Sequence, residues 1–566
     1  MTEATPILTA ESAAAASHVV PKVGQLARST VIVMVAFGIA KVISLVQTVI
    51  IADVFGVGRE WDAFVTANSV PELIFTLIAG GALANAFIPV FSGYIAREDR
   101  TGAWRTASHV INTVFLLTLI VSSLAFIFAP ILVSSLIAPG FTPDAQAETF
   151  ILMRILLIST LIFSISGIMM GILQSHNRFL LPALAPIMFD AGILFGVIFL
   201  TRQFGVYGIA YGAVIGAALH LAIQLPGLLT IKAKWFPQLG LRDPELWRII
   251  RLMLPLVAGL FLFSFSFIVM NSIASRLGEG AVSALSWGWR LMQIPETLIG
   301  TAMGTVILPT LAAFSALGDV KGKRDAMSNS IRFILITTIP SAVGLIVVGR
   351  PLISLLEGGA FDASATALVF STLQFFTLGL VTQSVVEVAA RSFYADKDTM
   401  LPLWASLANA ILNISLAFVL SGVAQVEARG FYNQIALQFP SLGLRPDFGN
   451  VGGLALAQSI GFTVEMLILL FVLRRRWRGL NENTLIMTTI KSVIASIVMA
   501  VLILIVDSVL NALDLFGRGR VFTGVLLGIE VFVGLVGFIG AAAVLKMEEL
   551  RLLRSLIKKS RNKDAP

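Results

Sequence analysis

The feature that most constrains this chain is a succession of long, uninterrupted apolar stretches. Crossing ~30 Å of hydrocarbon at about 1.5 Å per residue takes about 20 consecutive apolar residues in a helix. Fourteen such stretches can be read, at about 29–53, 68–94, 108–135, 150–173, 180–201, 206–231, 252–274, 282–312, 333–356, 365–390, 401–421, 450–473, 485–508 and 522–545. A transmembrane barrel needs short segments of alternating polarity, so these continuous runs exclude one. The first run is too long for a signal-peptide core, and no small-residue cleavage site follows it. Composition agrees: 57% of the 566 residues are apolar and 13% charged, against roughly 25% charged in soluble proteins. With no cysteine there is no disulfide, thiolate metal site or thiol nucleophile, and four scattered histidines argue against a histidine-ligated metal. The expected fold class is an all-α integral membrane protein with fourteen transmembrane helices.

An even number of spans puts both termini on one side, and the positive-inside rule names it. With an inner N-terminus, 28 of the 40 Lys and Arg residues fall on inner segments, among them Arg97, Arg100, Arg105, Lys232, Lys234, Lys321, Lys323, Arg324 and the run Arg474-Arg475-Arg476-Trp477-Arg478. Eight fall on outer loops. The asymmetry supports cytoplasmic termini and accounts for the net charge of +8 without nucleic acid.

The chain echoes itself at a spacing near 220 residues. Leu132-Val133-Ser134-Ser135-Leu136 before Gly140-Phe141 matches Leu352-Ile353-Ser354-Leu355-Leu356 before Ala360-Phe361. Pro71-Glu72 matches Pro295-Glu296, Pro89 matches Pro309, and Pro182 matches Pro402. Several matches in one order at nearly one offset argue against chance. The offset covers six spans, an even number, so the two copies share an orientation. That predicts parallel repeats about an axis along the membrane normal, with a binding site between the lobes near mid-membrane. The expected organisation is a cytoplasmic tail over 1–28, a six-helix N-lobe over 29–231 and a cytoplasmic linker over 232–251. A six-helix C-lobe over 252–473, two additional helices with a basic entry loop over 474–545 and a cytoplasmic tail over 546–566 complete it. The stretch Val423–Gly449 reads as a longer outer loop.

An ionisable side chain inside a membrane costs ~2.5–3.5 kcal/mol on insertion scales, so each needs a reason. Lys41 falls near the midplane of the first span, and Arg290 lies roughly 12 Å into the eighth. Two cations on the leading spans of the two repeats suit an anion such as a phosphate, which Arg binds bidentately. Glu72 behind Pro71 and Glu296 behind Pro295 form a pseudo-symmetric pair. Proline frees a backbone carbonyl in a helix, and the carboxylates either pair with the two cations or line a water-filled cavity. Asp190, Glu387, Glu465 and Arg154 read as partners that hold helices together. His176 and His220, with no cluster around them, read as structural.

Catalytic motifs are absent: there is no G-x-S-x-G, no H-E-x-x-H and no complete Walker A, since Gly318–Arg324 has the wrong spacing. No enzyme, no ATP-driven pump and no cofactor is expected. A coupling cation is left open, with Asn271, Glu387 and Gln458 as candidates to hold it. A membrane enzyme acting on lipid-linked sugars would need an acidic or histidine cluster at one face, and none is found.

Several segments together resemble the MurJ (MviN) family of lipid II flippases, in the MOP exporter superfamily. They are Asp62-Ala63-Phe64, Pro71, the run from Gly80 to Pro89, Ala138-Pro139-Gly140-Phe141, Asn177-Arg178-Phe179 with Pro182-Ala183, Arg290-Leu291-Met292 with Pro295, Gly304-Thr305 and Leu308-Pro309. The resemblance runs through the first twelve spans. It implies two six-helix lobes forming a V around a cationic cavity, and a hydrophobic groove at the last two helices that holds a polyprenyl tail. It implies substrate-binding roles for Lys41, Gln47, Asp62, Asn68, Glu72, Arg290, Gln293 and Glu296. Lys41 and Arg290 would engage the pyrophosphate, and the others would shape the polar cavity. The family's second cation of the first span is Gln47 here, its arginine pair in the second span falls on Phe75 and Thr76, and Gln293 stands where some members carry Glu.

The implied activity is movement of lipid II from the inner to the outer leaflet of the bacterial cytoplasmic (inner) membrane by alternating access, in peptidoglycan biosynthesis. The implied partners are lipid II or a related polyprenyl pyrophosphate-linked saccharide, membrane lipids and the cell-wall synthesis machinery, with the chain acting as a monomer. The alternatives are a flippase for another polyprenyl-linked oligosaccharide and a MATE-like cation-coupled drug exporter. A drug exporter would prefer a net-acidic, aromatic-lined cavity.

Overall fold

The computed structural model describes residues 43–79, 81–176, 178–422, 451–513 and 519–547, without the side chains of 79, 81–86, 255 and 256. Lys41, the 423–449 loop and most of both tails lie outside the described residues. What is described is helical; the only β feature among these residues is one isolated bridge between Gly358 and Phe361. The main helices are α1 (Ile43–Phe55), α2 (Arg59–Ile74), α3 (Gly81–Ala96), α4 (Arg100–Ile131), α5 (Pro143–Ser175), α6 (Leu180–Phe195), α7 (Tyr207–Ala222) and α8 (Pro244–Ala274). They continue with α9 (Ala281–Glu296), α10 (Ala302–Ala316), α11 (Val320–Val347), α12 (Ala363–Ala395), α13 (Met400–Leu420), α14 (Val451–Trp477), α15 (Glu482–Ala512) and α16 (Arg520–Val544).

Among the described residues, 12 helical segments are long and apolar enough to cross a membrane. They coincide with the third to fourteenth expected spans. Of the first expected span the described residues show Ile43–Phe55, and of the second they show the end of α2, a turn at Phe75–Ala79 and α3. One boundary differs clearly from expectation. The ninth span was placed at 333–356, but α11 ends at Val347 and a separate short helix follows at Gly349–Ser354. Pro351 fits the break, because it has no N–H for the Val347 carbonyl and lies in the first turn of the new helix.

The internal repeat is visible as helix positions. Arg59 and Ala281, Arg100 and Val320, Pro143 and Ala363, and Leu180 and Met400 start equivalent helices at offsets of 220–222. The repeated prolines have the same local effect. After Pro71 the chain passes into a π-helical turn at Phe75–Ala79, and after Pro295 into one at Thr297–Thr301. Proline removes one N–H from the ladder, and a π turn accommodates the misfit.

Contacts divide the chain into two compact units. The first contains Met1–Ile50, Val70–Ile127 and Leu152–Val257. Its core gathers Phe87, Phe91, Trp104, Val110, Ile168, Ile172 and Ile249. Helices α6 and α7 approach through glycines: a Cβ on Gly192 would lie 2.2 Å from the Cα of Gly216, and one on Gly212 would lie 2.7 Å from the Cα of Gly196. In lipid no hydrophobic force drives helices together, so small residues that admit close backbones take its place. The segment ahead of α8 is strapped along α4 by side chains. Asn112 Nδ2 donates to the carbonyls of Phe236 (2.7 Å) and Gln238 (2.8 Å), and its Oδ1 accepts from Trp235 Nε1 at 2.8 Å. Thr113 donates to the Leu239 carbonyl at 2.7 Å, and His109 Nδ1 lies 2.7 Å from Asp243.

The second unit contains Ile51–Ser69, Phe128–Ile151 and Ala258–Pro566. Helix α12 is its most buried span. Thr372 on α12 donates to the Ala284 carbonyl at 2.9 Å, and Ser459 on α14 donates to the Phe375 carbonyl at 2.7 Å. The last two helices pack on α11 through Ile336, Ala495, Met499, Ile503, Leu527 and Phe538. Their opposite faces expose Ile497, Val501, Leu504, Val525, Phe532 and Val536, an apolar surface suited to lipid.

Candidate functional site

Helix N-termini leave their first N–H groups without partners inside the helix. Here α2 and α9, equivalent in the repeat, supply acceptors for each other. Gly280, at φ +85°, makes the left-handed turn that starts α9. The N–H groups of Gly280 and Ser283 donate to the two carboxylate oxygens of Asp62, each at 2.6 Å, and Ser283 Oγ adds a bond of 2.5 Å. In return, Glu279 Oε1 accepts the Arg59 N–H at the start of α2, at 3.0 Å. Asp62 is thus the cap of a helix other than its own, and it is only 2% exposed.

Beside this cap, Trp61 and Trp287 stack with ring centroids 5.4 Å apart. Trp287 Nε1 donates to the Gly56 carbonyl at 3.3 Å. Arg290 follows Trp287 by about one helical turn. Its guanidinium lies 5.9 Å from the Trp61 ring and 6.0 Å from the Trp287 ring, and the side chain is exposed. The electron-rich ring faces attract the cation, so the aromatic pair sets where this charge sits.

Further along α9, Gln293 is half-buried and Glu296 is 3% exposed. Thr301 Oγ1, in the π turn, donates to the two Glu296 oxygens at 3.3 and 3.4 Å. On α2, Asn68 is half-buried, and the adjacent Ser69 Oγ accepts from Asn271 at 3.2 Å. The second unit therefore holds Asp62, Asn68, Arg290, Gln293 and Glu296. The first unit holds Gln47, which is buried, and Glu72, which is exposed. Asp62 and Glu296 are both buried, and each answers an internal donor set: a helix start for Asp62 and a π turn for Glu296.

The three residues named for a coupling cation have separate protein partners: Asn271 with Ser69, Glu387 with Arg391 at 3.1 Å, and Gln458 with Asn413 at 2.6 Å. Among the described residues no group of three or more His, Asp or Glu side chains could hold a metal. The charges read as helix partners do have partners. Glu465 accepts from Ser406 (2.6 Å) and Asn409 (2.7 Å), and Arg154 donates to the Phe126 carbonyl at 3.1 Å. His220 meets Ser166 Oγ at 2.5 Å. Sequence reasoning missed Trp61, Trp287 and Ser283. The signal for Ser283 was present as a glycine turn followed by a serine in the first turn of a helix.

The lipid II flippase MurJ family matches residues 51–516. The lipid II flippase MurJ of Burkholderia cenocepacia is 30% identical over 376 residues, covering 64% of this chain and 72% of that protein. The probable lipid II flippase MurJ of Rhizobium tropici is 27% identical over 538 residues, covering 92% and 95%. Among solved structures, lipid II flippase MurJ in an inward closed conformation gives a TM-score of 0.73 at 23% identity, over 92% of this chain and all of that one. An inward-facing multidrug resistance MATE family transporter of the MOP superfamily gives 0.62 at 18% identity, over 78% and 96%. The two solved structures share the fold, and the sequence matches go further: this chain belongs to the lipid II flippase MurJ family.

Proposed function

We propose that the protein carries lipid II from the inner to the outer leaflet of the bacterial cytoplasmic membrane by alternating access, with both termini in the cytoplasm. Family membership over residues 51–516 carries the reading, and the exposed Arg290 beside the Trp61–Trp287 pair supplies a chemical handle for it. A guanidinium offers five N–H donors in a planar fork, which suits the oxygens of a pyrophosphate. Lys41 would supply the second cation from the first span. Asn68, Gln47, Glu72 and Gln293 would meet the polar head group, and the apolar faces of α15 and α16 would meet the polyprenyl tail.

Asp62 gives the cycle a mechanical element. On this reading, passage to the outer side would part the starts of α2 and α9, and Asp62 would then release three donors to water. The cap would act as a latch that favours the closed outer end.

The experiment is transport by purified protein in liposomes. Lys41→Ala and Arg290→Ala are each expected to insert normally and to lose flipping. Removing one charged bond at about 1.5–3 kcal/mol corresponds to roughly a tenfold to hundredfold loss. Full transport by the double variant would exclude these two residues as the pyrophosphate anchors.

A further inference from the structure

Helix α16 carries a carboxylate that the transport reading does not use. Glu530 lies roughly 15 Å along α16 from Arg520, at 1.5 Å rise per residue. It is 1% exposed, and neither of its oxygens has a hydrogen-bond partner among the described residues. Below it, Gly534 lets α16 close on Ile503 and Met499 of α15, so the surroundings are apolar.

The charged groups on the neighbouring elements do not neutralise it. On α15, Asp507 is an acid and offers no positive charge, Glu482 is bound to Arg474 at 2.8 Å, and Lys491 lies toward the opposite end of the helix. On the short helix at Gly349–Ser354, Arg350 lies over the Phe370 ring at 5.2 Å. On α11, the charges lie between Lys321 and Arg332, whereas its packing against α15 and α16 uses Ile336, Val343 and Val347. On α16 itself, Arg520 is bound to Asp53 at 2.6 Å and to the Glu357 carbonyl. Ser492 and Ser496 are also buried without a partner, but a hydroxyl is already neutral. A carboxylate is not, and in an apolar interior an uncompensated charge is resolved by neutralisation.

We infer that Glu530 is a proton-binding site of the C-terminal helix pair. Its carboxyl is held as the acid while α15 and α16 are packed. The proton comes from water on the outer side, where Asp507 lies, and returns there when the two helices part. The ligand is a hydrogen ion, and its loss leaves a buried charge that loosens this pair from α11.

The test uses the full chain in liposomes and dicyclohexylcarbodiimide, which modifies protonated carboxyls in apolar surroundings, with the site read by peptide mass spectrometry. Label is expected on Glu530 at acidic pH, falling several-fold as pH is raised, and absent from E530Q. Glu530 unlabelled at every pH, while Glu296 or Glu465 is labelled in the same sample, would overturn the site. Label that does not change with pH would overturn the exchange. A second measurement separates a proton site from a charged site: Tm of wild type and E530Q across pH. E530Q, a neutral mimic of the acid, is expected to fold with wild-type Tm at acidic pH and to lack the wild type's fall at alkaline pH. A lower Tm for E530Q at acidic pH, with E530D retaining wild-type behaviour, would show that the position needs a carboxyl for another reason.

Discussion

A single carboxylate, Asp62, holds two backbone N–H groups and one hydroxyl at the start of α9. Asp62→Ala leaves those donors buried, and the expected cost is about 2–3 kcal/mol, read as a lower Tm in detergent. Arg290→Ala is expected to leave Tm near wild type, because the guanidinium is exposed and its bonds are replaced by water. The two variants should therefore separate a stability defect from a transport defect. Arg290 was legible in the sequence as a charge at membrane depth, and Asp62 through the family resemblance. Their partners were not, because Asp62 meets groups 218 and 221 residues away, and no local pattern specifies such a meeting. Glu296 meets Thr301 only five residues on, and what was not legible there is the π turn that places Thr301.

Pairs of helices show a different dependence. Helices α6 and α7 touch backbone to backbone, so Gly212→Leu would overpack the contact; the expected loss is about 1–3 kcal/mol, measurable as reduced Tm and reduced yield of monodisperse protein. Asp398 precedes α13 and accepts Arg476 at 2.6 Å and the Leu401 N–H at 3.2 Å. Partial burial works to raise its pKa, but the Arg476 and backbone bonds together outweigh it and hold the carboxyl below its usual range. A depressed folded pKa adds stability that is complete above the unfolded value, near ~3.9, and is lost as pH falls through the folded value. Arg476→Ala is expected to lower Tm at neutral pH, with the gap to wild type closing as the medium becomes strongly acidic. Helix positions were the most legible part of the chain, since hydrocarbon thickness dictates their length. The end of α11 was missed because the apolar run continues past the break that Pro351 enforces.

The sequence has no complete nucleotide motif, and on the proposed reading the work would come from a gradient or from removal of product. A lipid-linked pyrophosphate is anionic, and one charge crossing 100 mV is worth ~2.3 kcal/mol. With the inside negative, outward movement of the anion would be favoured, and an empty carrier made net cationic by Lys41 and Arg290, its two glutamates protonated or paired elsewhere, would be drawn back. Collapsing the potential at constant pH gradient is expected to slow turnover; transport that ignores the potential but stops when one cation is removed would point to antiport. The repeat was readable from short echoes near one offset, and the recurring helix starts and π turns carry the same offset in three dimensions. Substrate identity was not readable from spans and charges, since any polyprenyl pyrophosphate presents the same anion to Arg290. The most direct measurement is flipping of fluorescent lipid II by the purified protein in liposomes, beside an undecaprenyl-phosphate sugar in the same vesicles. Lipid II is expected to reach the outer leaflet in a protein-dependent way while the phosphate sugar does not; equal transport of both, or of the sugar alone, would contradict a lipid II flippase.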